Sequence, residues 1–428
     1  MLTTELPPPS VRVAPLRFAG APPPERFRAV VVTTADACEP LVADWADLAA
    51  DSIEPNVFYE PWALLPAIRR LGPFPSQRFV FFFAPSIADP SREVLCGFFP
   101  LQRCRTETAV SLTVTGLFRH PFCYVRTPLL RARYARECLS AFFDWLSSGG
   151  DETGLFELSE VVSDGPFRQL LADELYRRGT LTFPVQTHTR ALFRPLGSAE
   201  AYLQQALSGR HRRDLGRKER RLRDVGRVDY DVVEGPGEAE SWIDDFLRLE
   251  ASGWKGRSGT ALAAEPHRQA FFREVVRGAA ERGRLLGLRL RVGGSLAAER
   301  LSFRAAGGAM AFRVAYDEEL ARYSPGLLLE VENIRRMHRG ASPSAPGGHP
   351  ISWMDCGAVP YSDLFNRVWI HRRTIETMLL STGRVSGAFL LSVLPLLRFV
   401  NRTLDAGGFG RRAASTDEED ARLAKGEE

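Results

Sequence analysis

Apolar residues recur along this chain in two rhythms, every three to four positions in some stretches and in short alternating or continuous runs in others. The first marks helices with one buried face, the second strands. In the first part, 61–71 reads as a helix, and 78–84 and 94–101 read as neighbouring strands. A helix over 134–146 would place Tyr134, Cys138, Ala141, Phe142 and Trp145 on one face. A strand over 154–159 and a helix over 166–178 follow, with a switch between two halves at 189–198.

The second part has a clearer pattern. A long helix is expected over 198–225, with a break at Gly209, then a strand over 228–233 and helices over 238–250 and 266–282. Three strand-like runs, 285–292, 296–304 and 309–316, are separated by Gly293-Gly294 and Gly307-Gly308. Glycine accepts the positive φ of tight turns, so these runs predict an antiparallel meander. Ser324-Pro325 then predicts a helix start, because serine suits the N-cap and proline the first helical position. One more strand is expected at 350–354 and a C-terminal helix over 385–400.

A chain of 428 residues exceeds one ordinary core, which implies two domains. The expected division is a disordered arm over 1–25, domains over 26–190 and 191–380, a helix over 381–404 and a disordered tail over 405–428. With 44% hydrophobic and 25% charged residues the chain can bury large cores, which excludes wholesale disorder. The net charge of +4 is small, although a pI near 8.8 leaves room for a local basic surface. Six scattered cysteines without CxxC or Cys/His spacing predict no metal site and a reduced, cytoplasmic setting. The apolar stretch 385–400 is interrupted by Ser392, Pro395 and Arg398 and falls short of the roughly 20 residues that span a bilayer, so no transmembrane segment is expected. Peripheral membrane association stays open.

Three blocks carry a likeness to a known family: Leu249 to Gly256 with Gly259 to Leu262; Ala315 to Glu319 with Tyr323 to Gly326; and Trp353 to Cys356, continuing through Asn366 to Trp369 and on to Arg372-Arg373. An earlier block, Phe58 to Trp62, matches the start of the first half. Together they resemble the GNAT-related acetyltransferases of the CelD-like group, found in bacterial polysaccharide gene clusters and distantly similar to FemAB peptidyltransferases. The resemblance implies an α/β (α+β) architecture of two tandem GNAT-like (acyl-CoA N-acyltransferase) domains, each a mixed, mainly antiparallel sheet flanked by helices. The working site falls in the second half and the first half is a degenerate copy. The implied activity is transfer of an acetyl or acyl group from acyl-CoA to an amine or hydroxyl of a sugar or amino compound in polysaccharide or envelope metabolism.

Such chemistry needs phosphate donors, a hydrogen bond to the thioester oxygen and a proton acceptor. The helix start at Arg322, Tyr323, Ser324, Pro325 and Gly326 is the expected phosphate site, since free amides and the dipole favour anions there. Arg313 is grouped with it. The segment departs from the usual GNAT loop, and only Gly326 supplies a bare backbone. Acyl carrier protein and aminoacyl-tRNA therefore stand beside acyl-CoA as donors. Asp355 is the first expected base, placed near Tyr316 and Asp317 by the strand order, with Glu250 and Glu299 as reserves and Tyr316 as the acid that reprotonates the thiolate. Cys356 is set aside as a nucleophile, since no histidine is arranged to activate it.

Trp254 and Lys255 are expected to line the acceptor pocket. Between Arg210 and Arg227 nine residues are Arg or Lys against three acidic ones. Arg213 and Arg217 represent this basic helix as a contact for an anionic partner, against the alternative of a solvated face. No specific nucleic acid is expected. A FemAB-like aminoacyl-tRNA-dependent transferase and a non-catalytic GNAT scaffold binding an anionic partner are the alternative functions.

Overall fold

The computed structural model describes residues 26–406 except 75, 107–110, 234, 341–350, 359 and 361. The expected arm, most of the tail and Pro350 lie outside the described residues. Thirteen strands form one sheet: β1 Arg28–Val32, β2 Arg78–Pro85, β3 Glu93–Arg105, β4 Thr113–Leu117, β5 Leu129–Leu130, β6 Leu155–Val162, β7 Thr182–Phe193, β8 Val228–Val232, β9 Leu285–Val292, β10 Ser295–Ala305, β11 Gly308–Tyr316, β12 Trp353–Asp355 and β13 His371–Ser381. Their order is β1-β2-β3-β4-β6-β13-β7-β12-β11-β10-β9-β8, with β5 on β3.

This order reads the same from both ends. In each half an antiparallel meander of four strands (β1–β4 or β8–β11) is followed by a parallel strand, β6 or β12. The strand that comes next in sequence then crosses over: β13 pairs antiparallel with β6 of the first half, and β7 with β12 of the second. β7 and β13 pair along ten positions and stitch the halves together. The stretch 189–198, expected as a switch between halves, therefore includes the end of a central strand.

The glycine turns form as expected. Gly293 and Gly294 have φ of 59° and 85°, and Gly307 has 65°, which only glycine adopts without strain. The long helix divides into Ala199–Ala206 and Gly209–Val225, because Leu207 is extended and the Ser208 hydroxyl caps the second piece through the His211 amide. Apolar faces of Pro61–Leu71, Ala239–Ser252 and Pro266–Glu281 close over one core shared by both halves, containing Trp45, Phe98, Phe246, Phe272 and Phe312. Pro325–His338 covers the other face of the second half.

Candidate active site

Parallel strands that part leave a crevice, and here both halves have one. β11 and β12 pair only from Gly308 with Trp353 to Met310 with Asp355. Beyond Met310, β11 carries a bulge at Phe312, since Leu301 faces Arg313 and Ser302 faces Ala311. In the first half β4 meets β6 only at Thr115 with Phe156 and Gly116 with Glu157. Both openings face one cleft of about 1290 Å³. Phe312, Arg313, Val314, Tyr316, Cys356, Gly357 and Ala358 line it from the second half, and residues 119–124 with Arg126, Glu157, Ser159 and Glu160 from the first.

The helix start reaches this cleft. After Tyr316, Asp317 caps a 3-10 turn over Glu318–Tyr323 through the Glu319 amide at 3.0 Å. Ser324 follows at φ 54°, ψ 56°, and Ser324, Pro325, Gly326 and Leu327 line the cleft. The left-handed conformation alters the expected cap. Ser324 occupies the N-cap position, but its hydroxyl makes no cap hydrogen bond and instead accepts from Lys218 Nζ at 2.9 Å. The Ser324 carbonyl accepts from the Leu327 and Leu328 amides at 3.1 Å each, which leaves the Gly326 amide at the tip; with an ammonium beside it, that amide suits a phosphate. A Cβ on Gly326 would come only within 3.7 Å of the Tyr316 ring, so this glycine matters for access more than for packing.

The remaining expected residues divide clearly. Arg313 lines the cleft and stacks on Phe122 at 4.9 Å. Trp254 and Lys255 line it from a short helix, Trp254–Arg257, that fits only because residue 256 is glycine: a Cβ there would lie 1.8 Å from the Ala251 carbonyl oxygen. Glu250 buckles that loop from behind. Its carboxylate is buried and accepts from the Leu262 amide at 2.8 Å and from Lys255 Nζ at 3.2 Å. Asp317, Arg322 and Tyr323 do not line the cleft; Arg322 is exposed and stacks on Tyr323 at 4.8 Å. Arg213 and Arg217 are exposed on the basic helix away from the cleft wall, and Lys218 is the residue of that helix that meets the tip.

Asp355 is not where a base is needed. It pairs in register with Met310, well back from Tyr316, and is fully buried. Arg190 Nε reaches Oδ1 at 2.7 Å, Arg373 Nη1 reaches Oδ2 at 3.0 Å, and the Gly357 amide donates to Oδ1 at 3.0 Å. Burial alone would raise its pKa, but Arg190 and then Arg373 hold it below the ordinary carboxylate value. A carboxylate held ionised by two guanidiniums has little capacity to take a proton from an acceptor. It is a tie among β12, β7 and β13. Glu299 is likewise buried against Arg289 at 2.9 Å and away from the cleft, with burial pushing it up to about 8. Cys356 lines the cleft as a thiol, pushed up to about 12 by burial and then by the charge of Asp355.

Glu160 was not legible in the sequence. It lies in β6 at φ 54°, a conformation rare for a side-chain-bearing residue and more often found where function requires it. The pairing of β13 with β6 shifts register here, and the Thr377 hydroxyl accepts from the Glu160 amide at 3.2 Å. The Arg126 amide donates to the Glu160 carbonyl at 3.0 Å. Among the described residues no hydrogen bond or ion pair holds the Glu160 carboxylate, whereas Asp363, also in the cleft wall, is paired with Arg367 at 2.8 Å. Two of the three non-glycine residues at positive φ among the described residues, Glu160 and Ser324, thus line the same cleft. Seven arginines or lysines line it against three carboxylates, which favours an anionic ligand.

Residues 209–342 match the family described as Acetyltransferase (GNAT) domain. No curated protein matches the chain. Among solved structures FemX is similar at 9% identity, covering 83% of this chain and 97% of that one with a TM-score of 0.51. A conserved protein of unknown function from Bacteroides thetaiotaomicron VPI-5482 aligns at 12% identity over 79% of this chain and 96% of that one, with a TM-score of 0.47. A tandem GNAT protein from the clavulanic acid biosynthesis pathway aligns at 12% identity over 84% and 99%, with a TM-score of 0.38. The meander and the helix tip that follows it therefore lie in a stretch, residues 209–342, that matches a GNAT acetyltransferase domain, within a fold the chain shares with FemX; β12 lies just beyond that match.

Proposed function

We propose that the cleft is an acyltransferase site that takes a thioester donor at the β11/β12 opening and an amine or hydroxyl acceptor at the β4/β6 opening. The donor's phosphates rest on the amide of Gly326 at the helix tip beside Lys218. The thioester carbonyl meets backbone amides at the Phe312 bulge, which are worth a few kcal/mol where charge develops. The acceptor loses its proton to Glu160 as it attacks the carbonyl carbon; the C–S bond then breaks and the thiolate takes a proton from Tyr316. Glu160 replaces Asp355 in this role because its carboxylate faces the cleft without an ion-pair partner.

One observation carries the reading: a helix tip not capped by its serine stands at the mouth of a parted parallel pair, inside a cleft of about 1290 Å³. Acyl-CoA is the donor that fits with no further component. The CelD-like resemblance supports a sugar or amino-sugar acceptor in bacterial polysaccharide metabolism, in the cytoplasm. The FemAB-like resemblance and the cationic lining favour a second reading, an aminoacyl-tRNA donor.

Calorimetry with acetyl-CoA, a longer acyl-CoA, an acyl carrier protein thioester and aminoacyl-tRNA decides the donor, because a ligand of the native state reveals itself by binding heat and stabilisation. Binding of acetyl-CoA together with thiol release in the presence of amino sugars supports the main reading. Binding of none of the four donors sinks it and leaves a non-catalytic scaffold. The Glu160→Gln variant is expected to keep its donor affinity while thiol release falls roughly 10²- to 10⁴-fold.

A further inference from the structure

We propose that the outward face of the C-terminal helix docks this protein on an anionic lipid surface. The helix, Val385–Ala406, follows β13 directly. Its inner side is firmly seated: Leu391 and Leu394 pack with Val114, Leu155, Phe183 and Leu379. A Cβ on Gly387 would lie 1.8 Å from the Gly154 carbonyl oxygen, so the helix backbone rests on the start of β6.

The outer side is apolar where a solvated helix would be polar. Val385 is 87% exposed, Phe389 66% and Leu396 63%. At 100° per residue these three fall within an arc of about 40°, so they form one stripe along the helix. Leu181, 46% exposed, extends it at the base, where its carbonyl accepts from the Ser381 amide. Half of the large exposed apolar side chains of the described chain belong to this patch.

Charge selects the occupant. From Arg384 to the helix end at Ala406 the sequence contains Arg384, Arg398 and Arg402 against one carboxylate, Asp405. Apolar side chains on one side of a helix whose charges are mainly cationic fit the headgroup region of a membrane rich in acidic lipids, with the helix lying in its plane. Among the described residues no helix is long and apolar enough to cross a membrane. A second copy is a weaker occupant, because a few side chains fall far short of the roughly 800 Å² per partner of a stable interface.

Flotation of the full chain with phosphatidylcholine vesicles, with and without phosphatidylglycerol, tests this directly. The protein is expected to float with the phosphatidylglycerol vesicles and to be released in part by salt. The F389E/L396E double variant should float at least about tenfold less, since both side chains leave the apolar phase. Its melting temperature should stay unchanged, since both positions face solvent. Arg384→Glu should weaken flotation on the acidic vesicles alone. Absence of the wild-type chain from the floated fraction, equal flotation of the double variant, or a concentration-dependent dimer that the double variant abolishes would each overturn the assignment. None of these outcomes depends on the acyltransferase reading.

Discussion

The two openings of the sheet have the same strand order but different exits. After β11 the chain needs only residues 317–324 to reach a helix, and that helix begins inside the cleft. After β4 the chain runs irregularly through residues 118–128, pairs briefly as β5, and reaches its helix only at Ala135, whose first turn is absent from the cleft wall. The loop instead crosses towards the second half: Phe122 stacks on Phe271 at 5.0 Å, and the Tyr124 ring covers Gly357, where a Cβ would meet it at 2.7 Å. Topology alone thus creates a crevice at each opening, whereas the length of the exit decides whether a helix tip reaches it.

The strongest way to break this arrangement is at the tie between the halves. Asp355→Ala leaves the buried Arg190 and the partly buried Arg373 without their carboxylate and is expected to cost about 3–5 kcal/mol of stability, measured by urea unfolding. A loss under about 1 kcal/mol would mean that the triad does not hold β7, β12 and β13 together. Next comes a matched pair of insertions, one at each exit. Gly326→Glu sets a carboxylate at the helix tip and should weaken acetyl-CoA binding at least about tenfold, or about 1.4 kcal/mol, without unfolding the protein. Pro121→Glu, on the other exit, should leave that affinity unchanged. Equal losses in the two variants would erase the distinction between the openings.

A smaller effect probes the first exit through pH. His120 is buried in the cleft wall and accepts from the Phe122 amide at 3.3 Å. Burial, and then the nearby Arg126 charge, lowers its pKa to about 3, against an ordinary value of 6.5. The unfolded chain therefore binds the proton more readily. The stability that His120 contributes is complete above pH 6.5 and falls as pH drops towards 3, by up to about 1.4 kcal/mol per unit. Glu54, raised to about 7 mainly by burial, acts in the opposite sense below that pH. The difference between wild type and His120→Asn in unfolding free energy isolates the histidine; parallel curves would place His120 in solvent. Smallest is Lys218→Ala, expected to weaken acetyl-CoA binding a few-fold as one cation leaves the tip.

Much of the fold was legible locally. The glycine pairs 293-294 and 307-308 fix the meander, and the Ser324-Pro325 step places the helix within one residue. β7 and β13 were not legible. Thr182–Phe193 contains Pro184 and mostly polar residues before its apolar end, and His371–Ser381 begins with His-Arg-Arg, so neither alternates as a half-buried strand does. Their pairing joins Thr182 to Leu380, a separation that no local pattern encodes. The helix tip was readable because a serine, a proline and a glycine stand side by side in the sequence. Strand order gave the proximity of Asp355 to the crevice but not its register: it pairs with Met310 and lies in a buried ion triad with Arg190 and Arg373. Glu160 left no sequence trace, since its distinction is a backbone angle created by pairing with β13.

The crossing of β13 into the first half also fixes the timing of synthesis. Residues 371–381 emerge late from the ribosome, so during translation β6 waits with an open edge and the first half stays unfinished. Severing the gene between the halves would yield two pieces that each lack a central strand, and reunion of the fragments, rather than independent folding, is the behaviour this interlock dictates.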